Sequence, residues 1–165
     1  MDWAVDVVTN YGYIAIFGLL ALGIVGFPVP DEIVMIAAGY MCFLKAINIV
    51  VAFLVGFAGS LTGMIISYFI GLRLGQPLIE KFGKWIGLTP KRFNRVKGWY
   101  ARFGMWTVMI GYFIPGIRHV TSYAAGINAM PFRKYIVIAV VSAITWTALF
   151  ITIGYYTGHV HHHLA

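Results

Sequence analysis

The sequence predicts an all-α integral membrane protein built as an inverted repeat. In each half a re-entrant helical hairpin precedes a transmembrane helix, and an amphipathic basic linker joins the halves. Three observations predict it. The 165 residues are 61% hydrophobic and only 10% charged, whereas a soluble domain carries about a quarter charged residues. The apolar runs come in two lengths, long enough to span and too short to span. Finally, one order of segments and motifs occurs twice.

Taken in order, the start "MDWAVDVVTN" holds two acids and no basic residue, which is not the pattern of a cleaved leader. The run 11–27 has 17 residues and leads into the turn "FPVPDE"; the next run, 33–44, has 12. A spanning helix needs about 20 apolar residues, and runs of about 10–14 suit re-entrant or buried segments. The run 46–72 has 27 residues and reads as a full span. After the linker, run 103–117 has 15 residues and is interrupted by Pro115; run 120–130 has 11; run 135–158 has 24 and is again a span.

The halves therefore match: repeat 1 covers 11–72, with its tip at 28–32 and span at 46–72, and repeat 2 covers 103–158, with its tip at 115–119 and span at 135–158. "AAG" lies in the second arm of each, placing Gly39 against Gly126. "IGLRLG" and "IGYYTG" close the spans, with Gly71 and Gly75 against Gly154 and Gly158. A re-entrant hairpin returns to its own side, so each unit crosses once and the two must be inverted. Their tips then meet near the midplane, as in many transporters. A topology in which the arms also span, with more crossings, is the alternative.

The linker, 73–102, holds eight of the twelve Lys and Arg against one acid, Glu80. In so apolar a chain this reads as a cytoplasmic loop attracted to anionic lipid rather than to nucleic acid, and it places both termini outside. Trp85, Trp99 and Tyr100 among the bases suit interfacial amphipathic helices. In "TPKRFNRV", Thr89 is an N-cap with Pro90 at N1.

The chemistry lies at the tips. Asp31 and Glu32 sit at the first, Arg118 and His119 at the second. Burying a guanidinium in hydrocarbon costs about 3 kcal/mol on the lenient scale, so opposed tips bring compensating carboxylates to it. Irregular backbone at that depth must line a cavity or be covered by protein. One reading is a structural clamp in which Arg118 and Glu32 hold the repeats together. The other is a polar cavity for a charged headgroup or a proton, because Arg binds phosphate with two donors at once and His titrates near neutrality.

These residues carry a resemblance. "FPVPDE" with its "AAG" arm, and "FIPGIRH" with "AAGINAMPFRKY", resemble the two signature regions of the DedA membrane proteins, also called the SNARE-associated or VTT-domain family, over about residues 11–158. The resemblance implies opposed re-entrant hairpins and movement of phosphate-headed lipids, such as undecaprenyl phosphate or phosphatidylethanolamine, between leaflets. It carries onto Pro28, Pro30 and Glu32 in the first tip, Phe113, Pro115, Gly116 and Arg118 in the second, and Gly126. Many members have a glutamate where this chain has Gly23 and an arginine where it has Tyr112. The joint loss of an acid and a base leaves the net charge of the cluster unchanged and puts proton coupling by those groups in doubt. The smaller positive field favours a zwitterionic phospholipid such as phosphatidylethanolamine, with undecaprenyl phosphate close behind.

Gly56, Gly59, Ser60, Gly63, Ser67 and Gly71 share one helix face, which predicts close packing. Cys42 reads as a small buried hydrophobe. His159, His161, His162 and His163 read as a flexible tail rather than a metal site, and neither metal nor cofactor is expected. The chain contains no P-loop, GxSxG or HExxH motif, which argues against ATP hydrolysis, a serine hydrolase or a zinc protease. His119 and Ser122 fall three apart, but no third group orients the histidine. The expected protein is a non-enzymatic lipid translocase in a bacterial plasma membrane, with a homo-oligomer left open. The alternative is a proton-coupled carrier of ions or small solutes through the same cavity.

Overall fold

The computed structural model describes residues 2–22, 31–74, 77, 89–114 and 117–164. Among these the chain forms seven helices: α1 (Asp2–Leu22), α2 (Asp31–Phe43), α3 (Ile49–Leu74), α4 (Pro90–Phe103), α5 (Trp106–Tyr112), α6 (Arg118–Ile127) and α7 (Phe132–Leu164). Two of them, α3 and α7, are long and apolar enough to cross a bilayer. At about 1.5 Å per residue, the 26 residues of α3 reach well beyond a hydrocarbon core of about 30 Å.

Local chemistry sets the helix ends. Asp31 and Glu32 open α2, where the positive end of the helix dipole favours acids. It closes with Lys45 left-handed at φ 57° and Ala46 N–H donating to the Met41 carbonyl at 3.0 Å, a Schellman arrangement. Asn48 then caps α3, its Oδ1 accepting from Val50 N at 2.9 Å. Thr89 caps α4 as its sequence predicts, its hydroxyl accepting from Arg92 N–H at 3.3 Å with Pro90 behind it. Gly104, at φ 55°, breaks the chain between α4 and α5, so the apolar run from 103 is not one arm but a helix end and a seven-residue helix. Ala129 at φ 50° ends α6 as Lys45 ends α2.

Each short arm packs most extensively on the long helix of the other half: α2 lies along α7, and α6 along α3. The glycines of the repeated motifs make both approaches. A Cβ on Gly39 would collide with the Ile151 carbonyl and sit 3.0 Å from the Gly154 Cα; one on Gly154 would meet Ile36, with its Cα at 2.9 Å. In the other half, a Cβ on Gly126 would collide with the Tyr68 carbonyl and sit 2.7 Å from Leu72 N; one on Gly71 would meet Tyr123, with its Cα at 3.0 Å. Each glycine meets the carbonyl three residues before its partner glycine. The helix α1 lies against Gly59 and Gly63 of α3.

The faces left over, with Val50 and Leu54 on α3 and Val137, Val141 and Leu149 on α7, are exposed and apolar, as a lipid-facing surface requires. On α4, Phe93 and Val96 are buried against Val120, Tyr123 and Ala124 of α6, while its basic side chains lie outside. Cys42 is buried and free, as its sequence context predicts. The final helix corrects one expectation: α7 runs on to Leu164, and His159 packs on Phe43 at 5.5 Å between ring centroids, so the tail is helical.

Candidate functional site

The N-termini of α2 and α6 meet, bringing Asp31 to Arg118 and His119. Two positive dipole ends converge on a guanidinium there, so an anion is needed. Asp31 supplies it: Arg118 Nη2 donates to Asp31 Oδ2 in a close ion pair. Arg118 is 4% exposed, and its other partners fix its plane. Nη1 donates to Ser60 Oγ at 3.2 Å, and Ser60 shares a short hydrogen bond with the Tyr112 hydroxyl. The guanidinium carbon lies 4.8 Å from the Trp146 ring centroid and 5.4 Å from that of Tyr112, within cation–π range.

His119 is held from the other side. Ser67 Oγ–H donates to the Gly63 carbonyl at 2.9 Å, which uses the only proton the hydroxyl has. With that proton placed on the carbonyl, the 3.2 Å contact between Ser67 Oγ and His119 Nδ1 assigns the ring proton to Nδ1. The neutral ring is then the Nδ1–H tautomer, and Nε2 is a bare acceptor. Nε2 lies 3.8 Å from Asp31 Oδ2, too far for a hydrogen bond. Both His119 Nε2 and Asp31 Oδ1 are buried without a hydrogen-bond partner among the described residues.

Glu32, one residue on and rotated about 100° around α2, makes no ion pair among the described residues; it is half-buried. Pro28, Pro30, Pro115, Gly116 and the Gly23 position lie outside the described residues, as do 78–88 with Trp85. Four contributors escaped the sequence reading as site residues: Ser60, Ser67, Tyr112 and Trp146. The serines had a signal, being the polar residues of an otherwise glycine-rich face. Tyr112 stood out only through the resemblance, and Trp146 had no local signal. Ser122, considered beside His119, instead donates to the Arg118 carbonyl at 3.2 Å.

Ser67 is the third group that orients the histidine. It is not an activated nucleophile, because its proton points at a carbonyl and its oxygen accepts from the ring. The geometry is that of a membrane protein with a buried ion pair beside two acceptors that have no partner among the described residues. The VTT domain matches residues 29–156, and the chain belongs to this family, the DedA proteins. It is 44% identical over 161 residues to the uncharacterized membrane protein YbfM of Bacillus subtilis, covering 98% of this chain and 99% of that one. Undecaprenyl phosphate transporter A of the same organism is 34% identical over 150 residues, 91% of this chain and 74% of the relative. Its Staphylococcus aureus namesake is 31% identical over 153 residues, 90% and 75%. No solved structure matches the chain.

Proposed function

We propose that this protein moves phosphate-headed lipids between the leaflets of a bacterial plasma membrane, without enzymatic chemistry, and that it favours a zwitterionic phospholipid such as phosphatidylethanolamine. The observation that carries the reading is the buried Arg118–Asp31 pair at the meeting of two helix N-termini. A guanidinium oriented by Ser60, Tyr112 and Trp146 suits one phosphate. Its positive charge is already matched by Asp31, so a headgroup that brings its own cation restores neutrality when it displaces the carboxylate. Two relatives named as transporters of undecaprenyl phosphate support a lipid phosphate and make that lipid the second candidate.

In this proposal the chain is one membrane domain crossing the bilayer as two inverted units, with re-entrant tips at 28–32 and 115–119. The reciprocal packing of α2 on α7 and α6 on α3, with glycines in matched roles, supports the inversion. The basic segment 73–102 lies at the cytoplasmic surface against anionic lipid; the outward bases of α4 support this. Headgroups pass between the tips while acyl chains stay in the bilayer, and rearrangement of the two units alternates access. Pro28, Pro30, Pro115 and Gly116 shape the turns, and Glu32 lines the approach.

The test is movement of labelled phosphatidylethanolamine and undecaprenyl phosphate in proteoliposomes, for wild type and Arg118→Gln. The expected result is protein-dependent movement, faster for phosphatidylethanolamine, that is lost in a folded variant. Equal exchange in protein-free, wild-type and variant vesicles refutes the proposal and returns the solute carrier, which flux across the same vesicles would reveal.

A further inference from the structure

A buried guanidinium must have a counter-ion at every stage of transport, because an unpaired charge in this environment costs several kcal/mol. Here Asp31 occupies Arg118. A lipid phosphate that takes Arg118 must displace that carboxylate, and the carboxylate then needs a cation of its own. The groups around it are specific. Among the described residues Asp31 Oδ1 and His119 Nε2 are both buried acceptors with no hydrogen-bond partner, and Asp31 Oδ2 lies 3.8 Å from Nε2. Placing the Ser67 proton on the Gly63 carbonyl assigns the ring proton to Nδ1 and leaves Nε2 an acceptor. Two acceptors on neighbouring side chains, served by no donor among the described residues, call for a species that brings protons.

We propose that Asp31 and His119 form one cation-accepting site, which takes either the ammonium of a zwitterionic headgroup or, when the lipid is net anionic, a single proton. This rests on the lipid-translocase reading. With phosphatidylethanolamine, phosphate on Arg118 and ammonium on Asp31 and Nε2 leave the site neutral without any proton movement. With an anionic lipid such as phosphatidylglycerol, phosphate on Arg118 leaves Asp31 unmatched. His119 Nε2 then takes one proton from water on loading and returns it to water on release; no bond to the lipid is made or broken. The charge of the cargo thus decides whether its passage is coupled to protons.

Among the described residues the groups facing His119 are Asp31 from α2, Ser67 and Gly63 from α3, and Arg118 beside it on α6. The phenol of Tyr112 on α5 lies against Arg118 and Ser60, and that of Tyr135 on α7 donates to the Met64 carbonyl of α3 at 2.9 Å. Leu20 of α1 closes the other side against Gly63. Asp31 is the anion among these, so His119 is the group that can add positive charge next to it.

The experiment uses the full chain in proteoliposomes with acyl-labelled phosphatidylethanolamine or phosphatidylglycerol, between about pH 6 and about pH 8, the range in which histidine titrates. Phosphatidylethanolamine should move at a rate nearly independent of pH. Phosphatidylglycerol should slow as pH rises, by up to about tenfold per unit, the limit for one required proton. In His119→Gln, whatever its absolute rate, the phosphatidylglycerol profile should become flat. Movement of both lipids with the same pH slope overturns this inference while leaving the translocase reading intact, and so does a phosphatidylglycerol slope that survives in His119→Gln. No protein-dependent movement of either lipid overturns both. The wild-type comparison decides the matter even if the variant fails to fold.

Discussion

Asp31 and Arg118 belong to different halves of the chain, 87 residues apart, and a double-mutant cycle measures whether they act as one pair. Their side chains are 12% and 5% exposed, so solvent screening lowers the estimate little. Removing one partner of a buried pair costs about 3–5 kcal/mol. The two single variants should differ. In Arg118→Gln the stranded carboxylate can protonate or recruit a proton to His119, 3.8 Å away, which limits the loss to about 3 kcal/mol. In Asp31→Asn the guanidinium cannot neutralise itself. The rings of Trp146 and Tyr112 return only about 1–2 kcal/mol, and the loss should approach about 4 kcal/mol. The double variant, with two neutral amides able to hydrogen-bond, should lose about 3 kcal/mol, well under the sum of about 7 kcal/mol. Reversible unfolding in mixed micelles, followed by tryptophan fluorescence, reads all four proteins. Additivity within about 0.5 kcal/mol would refute a shared buried pair. The double variant also separates two roles for the site: as a mere clamp, its lipid movement would simply follow its remaining stability, exceeding that of Asp31→Asn, whereas a headgroup site leaves it folded and without lipid movement.

Four further predictions follow from the same geometry. Nitrogen NMR of labelled histidine should find His119 as the Nδ1–H tautomer at neutral pH, shifting towards a mixture in Ser67→Ala; an Nε2–H ring in the wild type contradicts the Ser67 assignment. Gly126→Ala should destabilise by about 1–3 kcal/mol, because the new methyl meets Tyr68 and Leu72 backbone, and Gly154→Ala should cost a similar amount against Ile36; unchanged unfolding in both would refute the close approach. Tyr112→Phe removes the hydroxyl that meets Ser60 and should cost about 1 kcal/mol, slowing translocation without abolishing it; an unaltered rate and stability would show the hydroxyl idle. In a Cys42→Ala background, Lys97→Cys and Lys134→Cys should react with an impermeant maleimide only in inside-out vesicles and Lys45→Cys only in intact cells; the opposite pattern reverses the proposed orientation.

What the sequence determined by itself was largely what depends on local patterns. The surplus of apolar residues and the run lengths separate α3 and α7 from the short arms, because crossing hydrocarbon demands a length that can be counted. Thr89 and Pro90 announce the start of α4, because capping involves neighbours in the chain. The "AAG" and "IGxxxG" pairs flagged close packing, because only small residues permit it. The tertiary structure decided which groups meet. The sequence placed both Asp31 and Glu32 at the tip and pointed to Glu32 as the clamp partner of Arg118, but the rotation of α2 against α6 brought Asp31 to it instead. Ser60, Ser67 and Trp146 became parts of the site only because α3 and α7 cross near the same guanidinium. The tautomer of His119 depends on a hydroxyl 52 residues away whose own proton is engaged elsewhere. Ion pairs and hydrogen bonds between helices act over a few ångströms of space, and a one-dimensional order of residues does not carry those distances.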